Sequence, residues 1–560
     1  MRNLQRFAAL VLCAALVMAL GGCADRGGDF SLGAAVGEAP QTLDPIYAQR
    51  VSEQTIIAHL YENLMKLNVD ADGQLTAVPG MAKSVDQEAN ADGTVTYTFR
   101  LRSAKWSDGR SVKAEDFIFA WQRLVDPASD SPYANLLQMV CGYDEARASG
   151  DMSLLQVTAK NDSTLVVTLK GSYDWFLTQV CTAPATSPLR KDKVPAMVRS
   201  DSAEAVEVAV TGDVQPWWDD VTALVGNGAY LISSYTEGES IQLTANQDHY
   251  YYGKQANPTE VTLYFGSAAQ GAALYESGQA DVAWPMTEEA YTLLSAEEDF
   301  SPTPTLSTYV MLFNISADPF RDQAIRQAVV KSLNRTAVAA AVGITARAAS
   351  ALVPYGVPDS EAEDFRTCAG ELVNTAPEQY EQDCAEAMEL LRQAGYESGA
   401  DFGELRYLYV DEDGAAAAAE EVCTQLRRAL RMQVTPAAVT EEELLTAIAE
   451  GTFTLAGRNL TAHCNDAESF LLDWASHSEN NLLGYKNSAY DTLMSIIANA
   501  PDGTARLGCL HDAEELLMAD APLTPLYTTY TAWTVRETLT GVIRDPRGWF
   551  SFCGALRRQA

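Results

Sequence analysis

Basic residues are scarce in this sequence of 560 residues. It contains 39 lysines and arginines against 75 aspartates and glutamates, so its formal net charge is −36. A negative field of this strength repels the phosphate backbone of DNA and RNA, and the composition therefore argues against a nucleic-acid-binding protein. We interpret the acidic residues as a solvated surface, which by itself identifies no ligand.

The motifs of several common enzyme and metal sites are also missing. The sequence has no G-x-S-x-G, H-E-x-x-H or G-x-x-x-x-G-K-[ST] segment, and no C-x-x-C pair of the kind that holds zinc. Histidine is rare, and the one cluster that suggests a catalytic or metal site is His463, Cys464 and Asp466. Adjacent residues of a strand point to opposite faces, so we do not expect His463 and Cys464 to form a catalytic pair. We predict neither an enzyme nor a metal or cofactor site.

The apolar run at the N-terminus is too short to cross a membrane. Residues 7–20 are apolar and follow Arg2 and Arg6, whereas a spanning helix needs about 20 such residues. This layout is typical of a secretory signal. The next segment, LGGC at 20–23, resembles a bacterial lipobox, whose cysteine is lipidated after cleavage. We therefore expect a lipoprotein signal peptide at 1–22, a lipid on Cys23 and an anchored tether at 23–29.

Eight cysteines remain once Cys13 and Cys23 are set aside. An extracytoplasmic compartment permits disulfide bonds, but eight cysteines allow many pairings and the sequence does not select among them. Cys368–Cys384 is the pairing that we favour.

The length and patterning indicate an α/β protein of two or three domains, because a single core stops growing at about 250–300 residues. Alternation predicts a strand at 94–102 and a hairpin around the TEGE turn at 236–239. After about residue 305, strands alternate with helices, one of which begins at an Asp322 cap.

Several segments, taken in order, resemble one protein family: the extracytoplasmic solute-binding proteins of peptide-type ABC transporters, also called solute-binding family 5. The resemblance covers the chain from about Leu32 to the C-terminus. Its segments are LDP (43–45), AKWSDG (104–109), EDFIFAWQRLVDP (115–127), SPYANLLQ (131–138), NGAY (227–230), ESGQADV (276–282), PFRDQAIRQAV (319–329) and YKNSAYDTLM (485–494).

The resemblance implies an α/β, two-lobe periplasmic-binding-protein-like clamp of type II, with an extra subdomain in the first lobe. We expect the first lobe at 30–303 with its subdomain at about 76–224, the second at 304–530, and a C-terminal return to the first at 531–560. The chain would cross between lobes near 303–309 and 526–531. Trp106, Phe117 and Trp121 would then be core residues of the subdomain.

The implied function is a lipid-anchored substrate-binding protein on the extracytoplasmic face of the membrane. It would act as a monomer, capture a short peptide between its lobes and deliver it to an ABC permease, with the lipid as its sole membrane attachment. Two alternatives stay open. The same scaffold could bind another small solute, such as a nickel complex or an oligosaccharide, or it could serve as a peptide-sensing surface receptor.

The resemblance also implies a set of ligand-binding residues: Gln49, Val51, Tyr133, Trp284, Asn459, Leu460 and His463.

The segment GRNLTAH at 457–463 departs from the family pattern R-A-G-W-C-A-D. Its residues Gly457, Leu460 and His463 stand where that pattern has Arg, Trp and an Asp that receives the peptide amine. A neutral imidazole cannot pair with an ammonium group as a carboxylate does. Asp466 or Glu468 could take this role if the register shifts.

Overall fold

The computed structural model describes residues 30–70, 75–173, 175–194, 217–252, 258–295, 302–359, 363–412, 414–478, 480–498 and 503–558. The expected signal peptide, Cys23 and the tether lie outside these residues.

The described residues form strands that group into two large sheets and several small ones. In chain order, the strands are β1 (Ser31–Val36), β2 (Met65–Val69), β3 (Leu75–Pro79), β4 (Ala82–Ala89), β5 (Val95–Leu101), β6 (Val157–Asn161), β7 (Thr164–Leu169), β8 (Tyr230–Thr236), β9 (Ser240–Ala245), β10 (Glu260–Tyr264), β11 (Val282–Trp284), β12 (Thr303–Phe313), β13 (Ala346–Ala348), β14 (Glu404–Val410), β15 (Gln433–Val439), β16 (Leu455–Thr461), β17 (Leu523–Thr531), β18 (Thr534–Val535), β19 (Leu539–Thr540), β20 (Ile543–Arg544), β21 (Phe550–Ser551) and β22 (Leu556–Arg557).

Helices cover the faces and edges of these sheets. The α-helices are Val51–Leu60, Ala114–Val125, Tyr143–Ser149, Ala268–Glu276, Glu288–Leu294, Gln323–Lys331, Arg335–Val342, Phe365–Ala369, Tyr380–Gln393, Ala415–Leu430, Glu441–Glu450, Glu468–Leu471, Ser488–Ala498 and Gly503–Asp520.

The first large sheet has the strand order β18-β11-β1-β10-β9-β8. Its central strand β1 pairs in parallel with both β10 and β11, and all but the first of its residues are buried. Gly33 is required here because a Cβ atom would lie 2.1 Å from the carbonyl oxygen of Gln279. The predicted hairpin around TEGE is confirmed, since β8 and β9 pair antiparallel across that turn.

The second large sheet has the order β13-β17-β12-β16-β14-β15. Its strand β12 alternates between two apolar clusters: Val310 and Leu312 pack into one, while Tyr309, Met311 and Phe313 pack into the other. Period-two alternation of this kind places one cluster on each face of the sheet. The predicted cap is also confirmed, because the Asp322 carboxylate accepts the Ala324 N–H at the start of its helix.

A smaller antiparallel sheet, β4-β5-β7-β6, packs with the helix Ala114–Val125 to form the core of the extra subdomain. The predicted strand at 94–102 is β5. Trp106, Phe117 and Trp121 are at most 1% exposed, which confirms them as core residues.

The molecule is a two-lobe α/β clamp, each lobe built around one of the large sheets. The polypeptide enters the second sheet along β12 and leaves it along β17, and β18 then pairs with β11 of the first sheet. Residues 303–309 therefore lie in β12 and 526–531 in β17.

The favoured disulfide is wrong. Cys368 and Cys384 are both free, as are the other six described cysteines. Cys368 lies in the short helix Phe365–Ala369 with its Sγ 3.2 Å from a Glu363 carboxylate oxygen, whereas Cys384 belongs to the long helix Tyr380–Gln393. The two cysteines are only 16 residues apart in the sequence, but the fold places them in different helices.

Candidate ligand-binding cavity between the lobes

A cavity of about 780 Å³ lies between the two lobes. Its lining comes from both lobes and from both connecting strands: Ala48, Gln49, Val51, Gln54, Pro132, Tyr133, Leu136, Ala183, Pro184, Ala185, Trp284, Pro285, Met286, Glu288, Tyr291, Thr305, Leu306, Ser307, Val342, Gly343, Ile344, Thr345, Thr461, Ala462, His463, Thr529, Tyr530, Thr531, Arg544, Pro546, Arg547 and Gly548. This volume is within the range of sites that enclose small ligands.

The two connecting strands line the cavity where their pairing is interrupted. The ladder between β12 and β17 is irregular between Pro304 and Thr308, and the intervening residues 305–307 line the cavity. Thr305 donates its hydroxyl to the Thr529 carbonyl at 3.0 Å, which holds the two strands together beside this interruption.

Glu53 fixes the loop that carries Gln49 and Val51. This side chain is 2% exposed, and its two carboxylate oxygens accept four backbone N–H groups, from Gln41, Thr42, Gln49 and Arg50, at 2.7–3.2 Å. Four charge-assisted bonds leave the loop little freedom. Sequence analysis did not single out Glu53, because its partners precede the helix in an irregular segment.

Tyr133 is also held within the protein. Its hydroxyl donates to the Ala48 carbonyl at 2.8 Å and accepts from Gln54 Nε2 at 2.9 Å. Burial raises the pKa of Tyr133 to about 12, so the hydroxyl is protonated at neutral pH. Tyr133 therefore lines the cavity as predicted, but its hydroxyl is already hydrogen-bonded within the protein.

Trp284 closes one side of the cavity. Its indole N–H donates to Thr531 Oγ1 at 2.9 Å and so joins β11 to the end of β17. Arg544 lies beside it, with the guanidinium carbon 5.6 Å from the Trp284 ring centroid and 5.6 Å from that of Phe550.

Arg547, the second cationic residue of the lining, is paired. Its Nε and Nη2 donate to the two oxygens of Asp545 at 2.7 Å each, and its Nη1 donates to the Gln179 carbonyl at 2.6 Å. Asp545 is 1% exposed, so the pair forms a fixed part of the wall.

His463 lines the cavity where the second lobe meets it. Burial lowers the pKa of this imidazole, and nearby Asp473 opposes that shift only in part. The ring is therefore neutral at pH 7 and brings no charge to the site.

Of the seven residues that sequence analysis proposed, Gln49, Val51, Tyr133, Trp284 and His463 line the cavity. Asn459 and Leu460 lie outside its lining. Asn459 is exposed and accepts a hydrogen bond from the Ser307 hydroxyl at 3.3 Å, and Leu460 packs against an apolar cluster of the second lobe. The following residues, Thr461 and Ala462, line the cavity instead because β16 ends there.

Asp466 and Glu468 are not free to receive a ligand amine. Both are buried, and both accept hydrogen bonds from Arg506, at 2.5 Å and 2.7 Å. The alternative that one of them replaces the usual amine anchor is therefore not supported. The neighbouring Cys464 is buried as well, and burial raises the pKa of its thiol, so it is not poised as a nucleophile.

Neither a metal cluster nor a membrane span occurs in the part of the chain that the structure describes. No group of three or more His, Cys, Asp or Glu side chains there is arranged to hold a metal ion. No helix among the same residues is long and apolar enough to cross a bilayer.

Sequence analysis missed, among others, four lining residues of the C-terminal segment RDPRG at 544–548. The two arginines of this segment carry no distinguishing signal, because close pairs of arginines such as Arg427 and Arg428 also occur elsewhere in the chain. The place of the segment beside Trp284 depends on the C-terminal return, which local patterns do not reveal.

The comparison with known families agrees with this architecture. Residues 76–481 match the family model of bacterial extracellular solute-binding proteins, family 5. The chain belongs to this family.

Among curated family 5 relatives, the probable deoxycholate-binding periplasmic protein YgiS of Escherichia coli K12 is 31% identical over 499 residues, covering 87% of this chain and 86% of YgiS. The periplasmic oligopeptide-binding protein OppA of the same strain is 28% identical over 518 residues, covering 91% of this chain and 89% of OppA. Haemophilus influenzae OppA in complex with the peptide RPPGFSPFR is a structural neighbour with TM-score 0.71 and 26% identity, covering 95% of this chain and 99% of that one.

Proposed function

We propose that this protein is a lipid-anchored solute-binding protein that captures a short peptide between its lobes and delivers it to an ABC permease. The observation that carries the proposal is the cavity of about 780 Å³, lined by both lobes and by both connecting strands. A ligand that contacts both walls favours the closed arrangement, since a ligand shifts a hinge equilibrium by its differential affinity for the two states.

A peptide fits the walls of this cavity for two reasons. The irregular ladder around residues 305–307 offers main chain to which an extended segment could pair. The flanking side chains Val51, Leu136, Trp284 and Tyr530 offer apolar surface, which accepts different side chains without selecting one sequence. A relative of the same fold, OppA of Haemophilus influenzae, has a bound nonapeptide in its structure.

The lobes would separate at the predicted boundaries, with 30–303 and 531–560 in the first and 304–530 in the second. The strand composition of the two large sheets supports this division, because one contains β1, β8 to β11 and β18, and the other contains β12 to β17. Lipid attachment at Cys23 rests on the LGGC segment, and the periplasmic relatives support an extracytoplasmic location.

Native mass spectrometry of residues 24–560, purified under mild conditions, tests the ligand class. The proposal predicts a set of co-purifying species with the masses of short peptides. A homogeneous sugar, metal complex or other non-peptide solute in the cavity would contradict the peptide assignment while keeping the solute-binding role.

A second candidate ligand is an amphipathic carboxylate. The one carboxylate among the described lining residues, Glu288, is exposed, and His463 stands where peptide binders place an amine-binding aspartate. The relative YgiS is named for deoxycholate, which is a compact apolar molecule with a carboxylate. Retention of deoxycholate in the same mass spectrum, in place of peptides, would favour this candidate.

A further inference from the structure

Arg544 differs from the other buried or partly buried arginines in the part of the chain that the structure describes. It ends the short strand β20, which pairs with β21, and it lines the inter-lobe cavity. Its guanidinium donates no hydrogen bond and joins no ion pair among the described residues, and its Nε is buried without a partner. A cation in this position has lost part of its hydration without gaining a hydrogen bond or an ion pair in return.

Other buried arginines have hydrogen-bonded partners for at least part of the guanidinium. Arg335 has no carboxylate partner, yet it donates to four backbone carbonyls and to the Thr524 hydroxyl. Arg366 donates from Nη1 to both oxygens of Glu514 at 2.8 Å, although its Nε and Nη2 are buried without a partner. The lack of any such partner at Arg544 is therefore specific to a residue on the cavity wall.

The nearest acidic residue in sequence, Asp545, forms no ion pair with Arg544, and its charge only partly offsets the effect of burial on the pKa of this arginine. Asp545 uses both of its oxygens for Arg547. Burial lowers the pKa of Arg544 to about 10, which still leaves the guanidinium charged at neutral pH. Its two aromatic neighbours, Trp284 and Phe550, lie 5.6 Å from the guanidinium carbon and contact it without using its N–H donors.

We propose that Arg544 is an anion-binding subsite of this cavity and that it binds a carboxylate of the ligand. This inference rests on the proposed function. It makes the carboxylate, and not the amine, the charged anchor of the ligand, because His463 is neutral and Asp466 and Glu468 are bound to Arg506. Peptides with a blocked amine, and apolar acids without any amine, would then be accepted as ligands.

Matched ligands test the subsite by calorimetry on the full chain. We expect trileucine to bind at least about tenfold more tightly than trileucine amide, since a desolvated charge-assisted pair is lost with the carboxylate. N-acetyl-trileucine should bind within about threefold of trileucine. The apolar acid 4-phenylbutyrate and its amide provide the same comparison without a peptide.

Three variants separate the subsite from a general charge effect. Arg544→Gln should bind trileucine and its amide equally weakly, and Arg544→Lys should fall between Gln and wild type because lysine keeps the charge and lacks the planar fork. Arg427→Gln is the control: it removes the same charge from an exposed arginine that lies outside the cavity lining. It should keep the preference for the acid.

A structural role for Arg544 predicts a different result. Because the side chain makes no hydrogen bond or ion pair within the described structure, Arg544→Gln should leave the melting temperature of the ligand-free protein unchanged or raise it. A clear fall in that temperature, together with equal binding of acid and amide by the wild type, would overturn the inference.

The outcomes also distinguish the subsite from the proposed function. If trileucine binds and Arg544→Gln binds it equally well, the subsite is wrong and the peptide-binding function stands. If neither tripeptide form binds but 4-phenylbutyrate does so in an Arg544-dependent manner, the subsite stands and the peptide assignment fails. Failure of every acid to bind the wild type counts against both.

Discussion

Single side chains around the cavity divide into those whose polar atoms are used within the protein and those left for a ligand. Tyr133, Trp284 and Arg547 belong to the first group, because each makes hydrogen bonds to its own chain. Such side chains present a fixed shape to the ligand and contribute mainly through contact area. Arg544 belongs to the second group.

Tyr133 is expected to contribute ring contact and loop position. Tyr133→Ala should weaken ligand binding about tenfold, because it removes the ring from the wall and the hydroxyl that bonds to Gln54 and to the Ala48 carbonyl. Calorimetry with the co-purifying ligand measures this loss, and a circular dichroism melt checks that the variant folds. Tyr133→Phe, which keeps the ring, should lose less, and unchanged affinity in Tyr133→Ala would remove the residue from the site.

A buried ion pair in the second lobe gives a prediction about stability. Arg366 and Glu514 have side chains 1% and 0% exposed, and Glu514 also accepts the Val353 N–H at 2.7 Å. Glu514→Gln should lower the free energy of unfolding by about 3 kcal/mol, because it leaves a buried guanidinium without its counter-charge.

Urea unfolding measures this loss for Glu514→Gln, and the exposed pair Arg392–Glu389 supplies the control. Glu389→Gln should change the free energy of unfolding by less than about 1 kcal/mol. Equal effects of the two substitutions would show that burial does not determine the strength of these pairs.

At the scale of elements, sequence patterns predicted particular strands and helices and only part of the site. Period-two alternation located β5 and the β8–β9 hairpin, and the Asp322 cap located its helix, because these features depend on near neighbours. The positions of Asn459 and Leu460 relative to the cavity depend on where β16 ends and how it pairs with β12. The contacts of Arg544 and Glu53 join segments whose positions relative to each other cannot be predicted from local sequence patterns.

One such long-range contact joins the helix Val51–Leu60 to the C-terminal return. The Phe550 N–H donates to Thr55 Oγ1 at 3.0 Å, and the Phe552 N–H donates to His59 Nε2 at 3.0 Å. His59 Nδ1 lies 2.7 Å from the Thr55 carbonyl. Because a carbonyl can only accept and an amide N–H can only donate, His59 is the neutral Nδ1–H tautomer.

This contact makes the stability depend on pH. Burial lowers the pKa of His59 to about 4, below its ordinary value of about 6.5, so the unfolded chain takes up the proton first. The contribution of His59 is complete above pH 6.5 and is lost as the pH falls towards 4. Between pH 7 and pH 5 the loss should be about 2 kcal/mol.

Urea unfolding of the wild type and of His59→Gln at both pH values measures this contribution. The variant should lose less stability than the wild type over the same interval, by about the amount assigned to His59. Identical losses in the two proteins would mean that the imidazole does not carry the effect.

At the scale of the whole molecule, the account rests on two lobes that close on a solute. The cavity lining is divided between the lobes and the two connecting strands, so closure and binding should be coupled. The chain as a whole is strongly negative, so the single unpaired cation of Arg544 in the cavity should favour small anionic ligands over extended polyanions.

Small-angle X-ray scattering of residues 24–560, with and without a pool of di- to pentapeptides, tests the coupling of binding and closure most directly. The account predicts a smaller radius of gyration with the peptides, at concentrations where calorimetry detects binding. Superimposable scattering profiles, despite a calorimetric signal that shows the site to be occupied, would contradict a clamp that closes on its ligand.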